Sequence, residues 1–143
     1  MIYWLKIIVS FCISCFFILP FFNVEDPFRA FALRFFYKES TAQIYEHECN
    51  PDRIYRYVYQ LGGKEYQQRY NGFVEALDQL IPEQERCKLQ VPSKPVVAIK
   101  YFPYFQYWSE PLQAERLDLW LFLGVNLIKI FAVLILITIF VRK

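Results

Sequence analysis

The chain is short of the residues on which most enzyme chemistry depends. It has one histidine, His47, so a hydrolytic triad would have that imidazole alone to use. Neither His47 nor the cysteines show zinc-site spacing, such as C-x-x-C paired with H-x3-H. The sequence contains no G-x-x-x-x-G-K-[ST], G-x-G-x-x-G, H-E-x-x-H or G-x-S-x-G. Gly62-Gly63-Lys64 lacks the rest of a phosphate loop, and Ser93-Lys94, adjacent in an extended linker, point apart. An enzyme, a cofactor and a metal are therefore not expected. Basic excess is missing too. Sixteen Lys and Arg stand against fourteen Asp and Glu, with no basic stripe, which excludes nucleic acid as a partner.

Acidic residues are absent from both ends. All fourteen lie between Glu25 and Asp118. Residues 1–22 carry one charge, Lys6, and Leu119–Val141 also carries one, Lys129. About 20 apolar residues cross a bilayer core, so both ends read as transmembrane helices. Ala30-Phe31-Ala32 resembles a cleavage site, but it lies beyond Glu25, Asp26 and Arg29; the first segment reads as an uncleaved anchor. The expected class is thus a mainly α membrane protein. Two transmembrane helices, 1–22 and 118–143, flank a small, mostly helical extracytoplasmic domain, 23–117, with one short strand. Basic ends and an acidic middle place both termini in the cytoplasm, with the domain in the periplasm of a bacterial inner membrane. A eukaryotic organelle or endomembrane is the alternative location.

Within the middle, Phe28, Phe31, Ala32, Phe35 and Phe36 recur at helical spacing over 27–38, with Arg29, Arg34 and Lys38 off the stripe. That pattern suits a basic interfacial helix at the lipid bilayer, and Trp108 adds an aromatic anchor near the return. Asn50-Pro51-Asp52 reads as a helix start and Gly62-Gly63 as its stop. The competing signal is strict alternation over Ile54–Tyr59, the first arm of a hairpin; the helix is preferred. Tyr66, Tyr70, Phe73, Val74, Leu77, Leu80 and Ile81 continue at helical spacing to Pro82, giving a helical hairpin over 51–81. Its open end would bring Cys49 to Cys87, predicting a disulfide in an oxidising compartment. Val96–Phe102 reads as the strand, and the last helix as running unbroken from about Glu110.

Lys129 in mid-segment calls for a partner, and no acid lies within either apolar segment. Lys129 and Asn126, three apart on one helix face, are therefore expected to dock on another integral membrane protein carrying a carboxylate or carbonyl acceptor. The expected function is a non-enzymatic accessory or structural subunit of a membrane complex of secretion, pilus, transport or respiratory type. Two alternatives stand beside it. One is a small membrane thiol-redox or enzyme-accessory protein using Cys12/Cys15 and Cys49/Cys87. The other is a single-target membrane regulator or immunity protein. The bland reading of Cys12 and Cys15 is helix packing, and that of His47, beside Glu46 and Glu48, is a solvated loop.

Overall fold

The middle of the chain is a β-sheet. The structure, a computed structural model, describes residues 2–13, 26–72, 74–114 and 118–141. In chain order they form α1 (Ile2–Ile13), α2 (Pro27–Phe35), β1 (Lys38–Glu48), β2 (Ile54–Leu61) and β3 (Lys64–Asn71). A short helix α3 (Glu75–Leu80), a 3-10 turn (Glu83–Glu85), β4 (Val96–Phe102), β5 (Phe105–Pro111) and α4 (Leu119–Val141) complete the order. The elements group into two units, 1–31 with 116–143, and 32–115, the division falling within α2.

The second unit is a five-stranded antiparallel sheet in the order β3-β2-β1-β4-β5. It curls until its edge strands β3 and β5 approach each other. Tyr59 Oη donates to the Gln106 carbonyl at 2.6 Å, and Tyr66 Oη to Gln106 Oε1 at 2.9 Å. Tyr57 Oη bonds Ser109 Oγ at 3.0 Å. Three tyrosines of one hairpin thus close the curl with their hydroxyls while their rings fill it. Ala42, Ile44, Val97 and Ile99 meet them from β1 and β4, and Leu77 and Ile81 cap the cluster from α3 and its end.

The helical hairpin expected over 51–81 is corrected to a β-hairpin followed by one short helix. Alternation decides it. Tyr55, Tyr57 and Tyr59 are all buried, whereas Ile54 and Val58, the helix-face residues, are half-buried. Aromatic residues two apart cover one face of a strand and would be scattered around a helix. Gly62 and Gly63 both have positive φ, 57° and 78°, the backbone that a two-residue hairpin turn demands. Asn50-Pro51, expected to open a helix, is a cis peptide in the turn before β2. Tyr66 and Tyr70 misled because a spacing of four fits both periods. The strand over Val96–Phe102 is observed as expected.

The membrane architecture is corrected as well. Among the described residues, no helix is long and apolar enough to cross a membrane. At 1.5 Å per residue the twelve residues of α1 reach about 18 Å, against about 30 Å of bilayer core; residues 14–22 lie outside the described residues. The helix α4 runs for 23 residues and carries Asn126 and Lys129 within its sequence. That finding removes the support for two spans and for the inner-membrane placement with its periplasmic domain. The endomembrane alternative loses the same support. The last helix does not extend back to Glu110 either. Glu110 pairs in β5, and Asp118 starts α4 by accepting the Trp120 amide at 3.1 Å.

In the first unit, α1 and α4 pack through Ile7, Val133 and Ile137, with Phe11 against them. Phe11 meets Phe28, and Phe31 meets Phe122, both edge-to-face.

Two substitutions separate strand from helix over 54–61. Tyr57→Ala should cost about 3–5 kcal/mol, and Val58→Ala less than about 1.5 kcal/mol. Urea unfolding of the purified variants reads both; the helical alternative predicts the reverse order.

Candidate functional site

The most highly organised polar cluster in the described residues gathers around His47. Its position arises from an irregularity in β1. Ala42 and Ile44 point into the core, so simple alternation would send Glu46 in and His47 out. Between Ile44 and Glu46 the pairing with β2 shifts by one residue at Tyr45. A bulge of this kind re-aims the side chains beyond it. Glu46 and Glu48 turn outward, where Arg56 reaches them at 3.2 and 3.8 Å. His47 turns in and is fully buried.

The far side of β1 changes partner at the same place. Residues 38–43 pair with β4. Beyond them the segment 88–95 takes over: Ile44 N–H donates to Pro95 O, Val91 N–H to Tyr45 O and His47 N–H to Lys88 O, at 2.9–3.0 Å. This irregular segment thus substitutes for a strand, and Cys87 at its start is bonded to Cys49 with an S–S distance of 2.05 Å. The disulfide is the expected pair, reached through strand ends and not through a helical hairpin.

The His47 ring is held on every side. Its face stacks on Tyr55, with ring centroids 4.7 Å apart and planes within 10°. Nδ1 accepts the Cys87 amide at 3.2 Å. The neutral ring therefore carries its proton on Nε2, which faces Asp78 Oδ1 at 3.5 Å and Cys49 Sγ at 3.7 Å. Asp78 comes from α3 and is already engaged by the Arg53 guanidinium and the Tyr55 hydroxyl. Its charge is spent on Arg53, which leaves little for His47. Burial pushes the His47 pKa below its ordinary value, and the Arg53 and Arg86 charges push in the same direction.

His47, Cys49 and Cys87 place three donor atoms within 4.8 Å of one another. Both sulfurs are spent on each other and Nδ1 on an amide, so the group in this state offers a cation one lone-pair site at most. What it can offer is sulfur chemistry. The solvated-loop reading of His47 is thereby overturned. The bulge that buries it has no signature in a single sequence.

The other expected site residues are dispersed. Asn126 is buried, and its amide donates to the Phe122 carbonyl of its own helix at 2.8 Å. Lys129 is half-buried and lies in the electrostatic reach of Asp26. The premise that this chain supplies no acid near Lys129 is thus amended. Asp26 also caps α2, accepting the Phe28 amide at 2.9 Å. Burial pushes its carboxyl pKa up, opposed by the Phe28 and Arg29 amides and by the Arg29 and Lys129 charges.

In α2 the buried residues are Ala30, Ala32 and Leu33, while Phe28, Phe35 and Phe36 are exposed. Phe31, Arg29 and Arg34 are half-buried, and Lys38 belongs to β1. Trp108 stacks between Phe102 and Phe105 at the β4–β5 turn. Cys15 lies outside the described residues, as does the side chain of Cys12.

The chain matches no protein-family model, no curated protein and no solved structure.

The buried imidazole gives a pH signature. Its folded-state pKa is lowered, so the unfolded chain takes up the proton first as pH falls. The stability contributed by neutral His47 is complete above the unfolded pKa near 6.5 and is lost as pH falls below it, down to the folded value. Urea midpoints of wild type and His47→Gln, measured from pH 7.5 to 5, should converge on acidification. Parallel curves would contradict a buried neutral ring.

Proposed function

We propose that the chain is a stoichiometric binding subunit of a larger protein assembly, held there by apolar helices of a partner laid against α1 and α4. The observation behind this reading is the outer surface of those two helices. Their mutual packing uses Ile7, Val133 and Ile137, yet Leu5 and Ile8 on α1 and Trp120, Ile128, Phe131 and Ile135 on α4 remain more than half exposed. Apolar area gains roughly 25 cal/mol for each Å² removed from water, and contiguous patches of this kind mark contact surfaces. A partner helix supplies the missing cover. The β4–β5 turn adds a second candidate surface, since Tyr104, Phe105 and Tyr107 are exposed around the stacked Trp108. Rigid aromatic side chains there suit contact with protein, because they lose little entropy on binding.

Ile128→Ser with Phe131→Ser removes two outward side chains and leaves Val133 and Ile137 in place. Native extraction followed by size analysis should find the wild-type chain in a particle larger than itself. The double variant should be recovered there about tenfold or more below wild type, the equivalent of losing one or two buried apolar side chains. Unfolding of the sheet unit should not change. A wild-type chain that runs alone, or a double variant that stays with its companions, overturns the reading. So does wild-type protein recovered on neutral lipid vesicles with no companion.

A further inference from the structure

We propose that the Cys49–Cys87 disulfide is a thiol-exchange site, attacked by an external thiolate at Cys87 Sγ and releasing Cys49 as a thiolate beside His47 Nε2–H. The two cysteines are placed unequally. Cys87 is exposed, whereas Cys49 is half-buried at the end of β1. A nucleophile arriving from solvent therefore meets Cys87 first, and its line of attack along the S–S bond makes Cys49 the leaving group. Exchange is faster when the departing sulfur is better stabilised as a thiolate. Cys49 Sγ has that stabilisation in position: the imidazole Nε2 stands 3.7 Å away, and the Cys87 amide on Nδ1 keeps the proton on Nε2. Arg53 and Asp78 neutralise each other beside the ring, and the Arg86 guanidinium, close enough to act on the His47 ring, makes the same corner favourable for negative charge.

The step balances without a further reactant. An external thiolate forms one S–S bond to Cys87 Sγ and the Cys49–Cys87 bond breaks; its sulfur is oxidised to the disulfide level as Cys49 is reduced. A monothiol stops there, as a mixed disulfide on Cys87. A dithiol goes on: its second thiolate attacks its own sulfur of the mixed disulfide and releases Cys87. The donor leaves as an internal disulfide, and two electrons have passed to the protein. The backbone bonds from Lys88, Val91 and Pro95 to β1 do not depend on the S–S bond. Exchange thus unhooks the start of the 88–95 segment while the rest stays paired with the sheet. The site acts stoichiometrically, as a modification, and does not rest on the binding role proposed above.

The isolated full-length protein, folded and at neutral pH, is incubated with glutathione as the monothiol probe, quenched by alkylation and read by mass spectrometry. The expected product carries glutathione on Cys87 and the alkyl group on Cys49, in about tenfold excess over the reverse isomer. Dithiothreitol should instead leave both cysteines alkylated, with no adduct. His47→Leu should slow the monothiol reaction about tenfold, the equivalent of one hydrogen bond to a charged sulfur. His47→Gln, which keeps an N–H donor, should recover most of the rate that His47→Leu loses. An adduct mainly on Cys49, equal isomers, or exchange only at denaturant concentrations that unfold the chain would overturn the proposal. Because each of these overturning outcomes is read on wild-type protein, a histidine variant that fails to fold does not blunt the test.

Discussion

The shift of register at Tyr45 is the constraint on which the sheet unit depends. Before it, β1 pairs with β4 over residues 38–43 and enters its pairing with β2 at Gln43 and Ile44. After it, the inward and outward sets exchange. His47 replaces a glutamate on the core face, and both neighbouring glutamates face Arg56. A glutamate buried there would need its own compensating charge, at a cost of several kcal/mol if it found none. The imidazole can be buried neutral, provided both ring nitrogens are accommodated. The Cys87 amide does this for Nδ1, and that amide is held in place by the disulfide and by the 88–95 segment along β1. Bulge, histidine, loop and disulfide therefore act together: the bulge turns the ring inward, and the disulfide and the loop hold the amide that the ring accepts.

Much of this was present in the sequence in a form that local patterns misassign. The alternation of Tyr55, Tyr57 and Tyr59 is a strand signal, and Gly62-Gly63 is a hairpin turn; together they define β2 and β3. Two features argued for the helix. Asn50-Pro51-Asp52 imitates a helix start, and Tyr66 and Tyr70 stand four apart, a spacing at which strand and helix agree. Tertiary closure broke the tie, because Tyr57, Tyr59 and Tyr66 bond residues of β5 some forty to fifty positions away. No window of a dozen residues contains that information. The strand over Val96–Phe102 had no such competitor, with β-branched residues on both sides of an alternation, and was legible. The disulfide was legible by a different route. Only two cysteines lie outside the apolar segments, and their pairing survives a change in what lies between them.

His47 was hidden for a related reason. Between Glu46 and Glu48 it has the composition of a solvated turn, and only the unpaired residue at Tyr45 reverses its direction. Lys129 shows the same limit in the other unit. Within its own helix it has no acid to meet. Asp26 reaches it from about a hundred positions earlier in the chain, which residue spacing alone does not disclose. Each unit thus carries a polar arrangement assembled by distant segments: Asp26 with Lys129 among the apolar helices, and His47 with Asp78, Arg53 and the disulfide in the sheet. The outer faces of α1 and α4 belong to the first, and the exchangeable sulfur corner to the second.

The protonation of His47 reports on the whole arrangement at once. Long-range nitrogen–proton correlation on protein labelled at histidine gives the state of both ring nitrogens. The single histidine makes the assignment unambiguous. The bulge geometry requires a neutral ring at pH 7, with the proton on Nε2, Nδ1 shifted as a hydrogen-bond acceptor, and slow exchange with water. A proton on Nδ1, or a ring in fast exchange titrating at the ordinary value near 6.5, would place His47 outside the core and contradict the register shift at Tyr45.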